Sequence, residues 1–391
     1  MLKMQNQVQH YSWGSSTAMT EMYGYPNPDK QPMAELWMGA HPKASSVVTD
    51  NNGNASSLYD YIAADPQGCL GEAINRRFHR LPFLFKVLSA VQPLSVQVHP
   101  DKTSAEAGFA RENLAGIPLD SPVRNYKDDN HKPELVYALT PFKAMNAFRP
   151  LPEICTLLSE VAPAHPGIVL FIAEPSEGQL SVLFTRLLSM SGETKDRAIG
   201  VLKSALNSRQ GEPWDTIRKM TEFYPEDNGL FTPLLLNVVE LKPGEAMFLY
   251  ARTPHAYLEG TALEVMANSD NVLRAGLTPK HIDVAELLSN LDFITKPAKS
   301  LFMSPHTANG CDIFPVPVDD FSFSVIKLNN QKITLDNNSA NILFCVKGQV
   351  VITTKTATLR VIEGESTFIS AAERKIEIDG EGIIARVYNT L

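Results

Sequence analysis

The stretch 242-KPGEAMFL-249 and its near-repeat 362-IEGESTFI-369 decide the fold class of this chain. Both contain Gly-Glu-x-x-Phe followed by an aliphatic residue. A glycine that permits a turn therefore leads directly into an apolar run of strand type. Two such units, far apart in the chain, indicate two related antiparallel β-structures.

Strand-type runs surround both copies, for example in 81-LPFLFKVLSA-90 and 93-PLSVQVHP-100. Between the two groups of strands, apolar residues recur every three or four positions, which is typical of amphipathic helices. The predicted helices cover four segments: 152–161, 178–190, 194–206 and 214–224. A further short helix is predicted over 282–291, where Asp283 can cap it.

These patterns predict a mainly β protein with a helical insertion, that is, two antiparallel β-barrels plus an α-helical domain. We expect the first barrel to be formed by residues 1–150 and 230–297, which the helical insertion of residues 151–229 separates. Residues 298–391 are expected to form the second barrel.

Composition excludes several classes of function. The chain has 391 residues, 44% hydrophobic and 20% charged, with a formal net charge of −8, which argues against a general nucleic-acid or anionic-membrane binder. Four scattered cysteines, the absence of a signal-peptide pattern and the lack of a long apolar run predict a cytoplasmic protein with free thiols. No GxGxxG or GxxxxGK[ST] motif indicates a nucleotide cofactor.

Polar residues interrupt the apolar strands at three places. Gln97 and His99 share one face of a strand, where burial without partners costs about 1–3 kcal/mol per group. A bound metal ion would satisfy both, although hydrogen bonds to the backbone at the strand end would also do so. Glu134 leads into an apolar strand just after Lys132, with which it could instead form a surface ion pair. His255 lies in a predicted loop together with Tyr257, and it follows Gly244 by eleven positions.

Two imidazoles, a carboxylate and an amide oxygen would form a site of nitrogen and oxygen ligands, which suits zinc, iron, manganese or cobalt. Lys132 adds a cation beside this site. Arg274 offers a fork of donors suited to phosphate, or it forms an ion pair with Asp270 on a helical turn.

Several of these residues lie in motifs that resemble a known family. The cupin pattern has His-x-His, a nearby Glu, and a distant His eleven residues after a strand-opening Gly; here Gln97 replaces the first His and a long insertion precedes Glu134. With those departures the chain resembles the type I mannose-6-phosphate isomerases of the cupin superfamily. The resemblance rests on 10-HYSWGS-15, 35-ELWMGAHPKA-44, 82-PFLFKVL-88, 93-PLSVQVHPDK-102, 130-NHKPEL-135, 254-PHAYLEG-260 and 268-NSDNVLRAGLTPK-280.

The resemblance implies two cupin-type jelly-roll barrels and one zinc ion held by four ligands: Gln97, His99, Glu134 and His255. It also implies interconversion of mannose 6-phosphate and fructose 6-phosphate, by proton transfer between C1 and C2 through an enediolate. Arg274, Lys132, His131 and Asp270 are the expected catalytic residues, and Lys86 and Tyr257 the expected substrate-binding residues. The His131–Lys132 pair is favoured for moving the proton, with Lys132 alone and Asp270 as alternatives.

The expected partner is a small sugar phosphate, with no nucleic acid and no membrane, and the protein is expected to be a monomer in carbohydrate metabolism. Lys375 stands where the second barrel would need its ligand histidine, so that barrel is predicted to be metal-free.

Two other functions are alternatives to the isomerase. A cupin dioxygenase using Fe(II) would favour an apolar pocket, and a non-catalytic sugar-binding cupin would leave the four ligand residues unexplained.

Overall fold

A computed structural model describes residues 1–50 and 53–390 of the chain. Within these residues the protein is mainly β, as predicted. The strands are β1 Leu2–Gln5, β2 Gln7–Gln9, β3 Glu35–Met38, β4 Val47–Thr49, β5 Ala55–Ser57, β6 Phe83–Ala90, β7 Val96–Val98, β8 Glu134–Ala138, β9 Phe142–Phe148, β10 Leu236–Leu241, β11 Ala246–Leu249, β12 His255–Ala267, β13 Leu273–Gly276, β14 His306–Ala308, β15 Cys311–Phe314, β16 Ser322–Asn329, β17 Ile333–Asp336, β18 Asn341–Thr353, β19 Thr358–Ile362, β20 Ser366–Ile369 and β21 Lys375–Tyr388.

Twelve α-helices occur in the described residues, with six of them between β9 and β10, where the helical insertion was predicted. They are α1 Ala18–Tyr23, α2 Leu58–Ala64, α3 Pro66–Leu70, α4 Glu72–Phe78, α5 Lys102–Leu114, α6 Leu151–Ser159, α7 Pro166–Ala173, α8 Glu177–Leu188, α9 Gly192–Leu206, α10 Trp214–Phe223, α11 Thr232–Leu235 and α12 Val284–Ser289. The prediction missed α5, which is polar on most sides, and α7, which is apolar on most sides, because neither has a clear amphipathic period. None of the helices in the described residues is long and apolar enough to cross a membrane.

The strands form two antiparallel sheets. Counted over the described residues, the smaller sheet has ten strands and the larger has eleven. In the smaller sheet the long strand β12 joins two parts, because its first residues pair with β7 and β9 and its later residues pair with β6 and β8. The larger sheet contains the C-terminal strands, and β1, β4 and β5 from the N-terminal region also pair into it.

The sequence repeat has the same local structure in both sheets. Gly244 and Gly364 have positive φ values of 95° and 83°, which favour glycine. In each copy the Glu after the glycine closes the turn with a backbone hydrogen bond, from Glu245 to Lys242 and from Glu365 to Ile362, both of 2.9 Å. The two copies then enter β11 and β20, so they are equivalent turns.

Among the described residues, four apolar clusters contain side chains of the smaller sheet. Its inner core includes Leu88, Val136 and Tyr257. One outer face packs against the larger sheet, and the other packs against the helices. Residues of the smaller sheet that point into the inner core are buried, so polar side chains there need specific partners.

The domain boundaries given above stay a prediction. Their first and last ranges include residues 51, 52 and 391, which lie outside the described residues.

Candidate active site and metal centre

Three of the four predicted metal ligands meet inside the smaller sheet. His99 follows β7, Glu134 begins β8 and His255 begins β12, and their side chains are at most 2% exposed. The two oxygens of Glu134 lie 3.4 Å from His99 Nε2 and 3.3 Å from His255 Nε2. In the described residues this is the one cluster of three His, Cys, Asp or Glu side chains with ligand atoms close enough to share an ion.

Backbone carbonyl oxygens fix the orientation of the two imidazole rings. His99 Nδ1 is 2.8 Å from the carbonyl oxygen of Asn271, and His255 Nδ1 is 3.0 Å from that of Thr253. Because a carbonyl oxygen only accepts, each Nδ1 carries the proton, and each Nε2 presents a lone pair toward Glu134. Both Nε2 atoms are buried without a hydrogen-bond partner. Two nitrogen lone pairs without a hydrogen bond, on either side of one carboxylate, are the ligand atoms that a bound metal ion would need.

Local charges favour the ligand forms of these groups. Burial lowers the pKa of His99 to about 4, helped by the nearby Lys132 ammonium, so the imidazole is neutral at pH 7. Burial alone would raise the pKa of Glu134, but Lys132 and His99 outweigh it and hold this pKa well below its usual value. Lys132 Nζ lies 2.9 Å from Glu134 Oε1, so the predicted ion pair is present at the site rather than on the surface.

Gln97 is the fourth expected ligand, and strand register places it beside the cluster. In β7 it is the pairing partner of His255 on one side and of Arg274 on the other. Directly opposed residues of antiparallel strands point to the same face, with Cβ atoms about 5 Å apart. Arg274, Gln97 and His255 therefore form one row across the sheet.

The alternative helical ion pair between Arg274 and Asp270 does not form. Arg274 lies in the extended strand β13. Asp270 instead accepts a hydrogen bond of 2.5 Å from Lys43 Nζ and lies 3.7 Å from His41 Nε2. Within the described residues, the Arg274 guanidinium has no carboxylate partner, so it can bind an anion.

A second buried network lies beside the cluster and contains both expected substrate-binding residues. Lys86 Nζ donates to Glu264 Oε2 at 2.7 Å, and the Tyr257 hydroxyl donates to Glu264 Oε1 at 2.8 Å. Glu35 lies 3.6 Å from Lys86 and accepts a hydrogen bond of 2.6 Å from Trp37. Burial lowers the pKa of Lys86, but Glu264 and Glu35 outweigh it and raise this pKa, so Lys86 is a permanent cation.

Sequence reasoning missed Glu264 and Glu35. A lone carboxylate within an apolar strand, as in 261-TALEVMA-267, was the available signal, because a buried Glu needs a cationic partner. The positions of His255 and Tyr257 also differ from the prediction. Both lie in strand β12 rather than in a loop, because pairing with β7 and β9 extends the chain there.

His131 lies at the edge of the site and contacts Asp320, with 2.9 Å between Nε2 and Oδ2. Both line an open cavity of about 980 Å³, together with Asp270 and Lys43. The metal-binding cluster does not line this cavity. We place the candidate site at the cluster, because the orphaned ligand atoms lie there. Two cavity residues are next in sequence to residues that contact the cluster: His131 precedes Lys132, which contacts Glu134, and Asp270 precedes Asn271, which contacts His99.

A mainly β protein with a buried His–Glu–His cluster inside an antiparallel sheet is the pattern of a cupin metalloprotein. Family models identify the chain further. Residues 1–151 match the catalytic domain of type I phosphomannose isomerase, residues 157–236 match its helical insertion domain, and residues 312–389 match the cupin domain of mannose-6-phosphate isomerase.

Full-length relatives agree with these matches. The mannose-6-phosphate isomerase of Escherichia coli (strain K12) is 59% identical over all of both chains, and that of Homo sapiens is 34% identical over 94% of this chain and 92% of its own. A zinc-bound crystal structure of mannose 6-phosphate isomerase superposes with a TM-score of 0.97 at 58% identity, covering 100% of this chain and 99% of its own. A mutant of phosphomannose isomerase from Salmonella typhimurium superposes with a TM-score of 0.98 at the same identity, over all of both chains.

The chain therefore belongs to the type I phosphomannose isomerase family, as the sequence motifs predicted, and it is an isomerase. The predicted fold class, two antiparallel β-structures with a helical insertion, is confirmed by the same matches. The zinc-bound relative agrees with the expected cofactor.

Proposed function

We propose that this enzyme interconverts mannose 6-phosphate and fructose 6-phosphate by proton transfer between C1 and C2 through an enediolate. The observation that carries the proposal is the buried cluster of His99, Glu134 and His255, with two orphaned Nε2 atoms, in a chain that matches named mannose-6-phosphate isomerases over its full length.

We propose zinc as the metal, with Gln97 as the fourth ligand beside the three clustered residues. The geometry supports Gln97 through its place opposite His255, and an amide oxygen adds a ligand without adding charge. With one ligand carboxylate the site keeps net positive charge, and bound zinc would polarise a sugar oxygen.

Basic groups around the cluster are proposed to bind the phosphate and the charge that develops on the substrate. Arg274 has no carboxylate partner among the described residues and lies in the row with Gln97, which supports a contact with an anion. Glu264 holds Lys86 on the neighbouring strand β6 and Tyr257 on its own strand β12, so both can bind sugar hydroxyls in fixed positions.

We propose that the His131–Lys132 pair moves the proton. The contacts of the two residues support a different role for each. Lys132 is engaged with the ligand Glu134 at 2.9 Å, which suits a charge-stabilising role. His131 is 22% exposed and lines the open cavity, and an imidazole can both accept and return a proton. Asp270 is the alternative base, but it already binds Lys43.

A monomeric, cytoplasmic enzyme with a small sugar phosphate as its partner is proposed as well. Four free cysteines, three of them buried, support a reducing compartment. The net charge of −8 argues against nucleic acid and anionic membranes as partners.

A coupled assay for fructose 6-phosphate formed from mannose 6-phosphate, with and without a chelator, tests the proposal. Activity should disappear with the chelator and return with zinc, whereas full activity in metal-free protein would remove the metal from the proposal. In deuterated water, label should appear at C1 or C2. Product without any label would point to a hydride shift instead. Oxygen consumption in place of isomerisation would favour the Fe(II) dioxygenase.

A further inference from the structure

One carboxylate reaches the site from the larger sheet. Asp320 lies between β15 and β16, is 4% exposed, and its carboxylate contacts His131 Nε2 at 2.9 Å. Within the described residues it has no other side-chain partner. A buried carboxylate is costly unless it is paired, so this contact is a specific one.

The backbone around Asp320 is held by Asn389. The Asn389 amide donates to the carbonyl oxygens of Asp319 and Asp320 at 2.9 and 2.8 Å, and Asn389 is itself held by Ser339. Arg77 from α4 pairs with the side chain of Asp319 at 2.6 Å, but both side chains are about half exposed, so this surface pair adds little to the support. The carboxylate therefore approaches His131 from a fixed support.

The contact with Asp320 determines which nitrogen of the His131 imidazole keeps a free lone pair. An ionised carboxylate only accepts hydrogen bonds, so Nε2 of His131 carries the proton and donates it to Asp320. Nδ1 then has the free lone pair, and it has no hydrogen bond within the described residues. A protonated imidazole would be stabilised by the same carboxylate, as in other sites where an acid orients a histidine base.

We infer that Asp320 is a positioning residue for the isomerisation: it holds His131 as the Nε2–H tautomer, so that Nδ1 exchanges the proton with the sugar. The inference rests on the proposed function of His131. In the forward reaction Nδ1 takes the proton from C2, and the electron pair of the C2–H bond forms the C1–C2 double bond of the enediolate. The O2 proton passes to O1, and Nδ1 returns its proton to C1 as the C2 carbonyl forms. No oxidant or reductant is needed. The larger sheet thereby contributes to the catalytic site.

The test compares two neighbouring substitutions in the zinc-loaded enzyme. Asp320→Asn should lower kcat about ten- to a hundredfold while KM and zinc content stay near wild type. Asp319→Asn, in the same loop but paired with Arg77, should leave kcat unchanged and is the matched control. Unchanged kcat in Asp320→Asn, with a large loss in His131→Gln, would overturn the inference but leave the role of His131 standing. Unchanged kcat in His131→Gln would overturn both.

Two further measurements separate positioning from a general structural effect. In a double-mutant cycle, Asp320→Asn should cost little more once His131 is Gln, whereas additive losses would count against the inference. Nitrogen-15 NMR of histidine-labelled wild type, with the His131 signals assigned from His131→Gln, should show the Nε2–H tautomer. An Nδ1–H tautomer in the wild type would overturn the inference without any variant of Asp320.

Discussion

The buried contact between Lys86 and Glu264 leads to a quantitative prediction for Glu264→Ala. At an effective dielectric constant of about 20, the attraction across the 2.7 Å between Lys86 and Glu264 is about 6 kcal/mol, and across the 3.6 Å to Glu35 it is about 5 kcal/mol. These gross attractions are opposed by the cost of burying the charges, and breaking a buried pair costs about 3–5 kcal/mol net. Because Glu35 stays as a second partner, we expect the free energy of unfolding to fall by about 3 kcal/mol.

The matched control lies on the same strand. Glu259 pairs with Lys219 at the surface, where its side chain is 52% exposed, so Glu259→Ala should cost less than about 1 kcal/mol. Equilibrium unfolding in urea measures both values. The substitution at Glu264 should also lower kcat/KM by about tenfold or more, because Lys86 and Tyr257 lose their common acceptor.

The double variant Lys86→Met/Glu264→Leu sharpens the test. Replacing both charges leaves no unpaired ammonium. The double variant should therefore lose less stability than the two single variants lose in total. If Glu264→Ala were as mild as Glu259→Ala, or if the double variant lost the full sum, the buried ion pair would not have the energetic role that its geometry indicates.

Other substitutions test separate parts of the site. His255→Ala should lose zinc, measured as metal per chain, because one of two imidazole ligands is gone; stoichiometric zinc would contradict the ligand set. Arg274→Ala should keep zinc and lose about a hundredfold or more in turnover; a wild-type rate would assign it a structural role. Burial raises the pKa of Asp270, but the hydrogen bond from Lys43 outweighs it and the net shift is downward. The resulting stability is present at neutral pH and is lost as the pH falls through the pKa of the folded state. Lys43→Met should therefore reduce stability at pH 7 more than at pH 2 in urea unfolding; an equal loss at both pH values would exclude this linkage.

Local pattern was sufficient for much of the fold. The four amphipathic segments of the insertion became α6, α8, α9 and α10, and Asp283 caps α12 by accepting from the Glu286 amide at 3.0 Å. Helical period and capping depend on neighbours within a few residues, so they can be read directly from the chain. The repeated turn at Gly244 and Gly364 is local in the same sense.

The ligand cluster could be predicted for a different reason. His99, Glu134 and His255 are far apart in the chain, and only the family motifs linked them. Nothing in their local sequence showed that β7, β8 and β12 would bring their side chains to one point. The motifs also placed Arg274 at the site, and the pairing of β13 with β7 shows how this comes about.

The sequence by itself determined the alternation of strands and helices, the repeated glycine turn and the set of residues able to hold a metal. Only the tertiary structure decided that Glu264 and Glu35 flank Lys86 and that Asp320 from the larger sheet reaches His131. The physical reason is that turns and helices depend on contacts a few residues apart. Buried charge pairs, in contrast, depend on strand register and on the packing of one sheet against another, which join positions that are far apart in the chain.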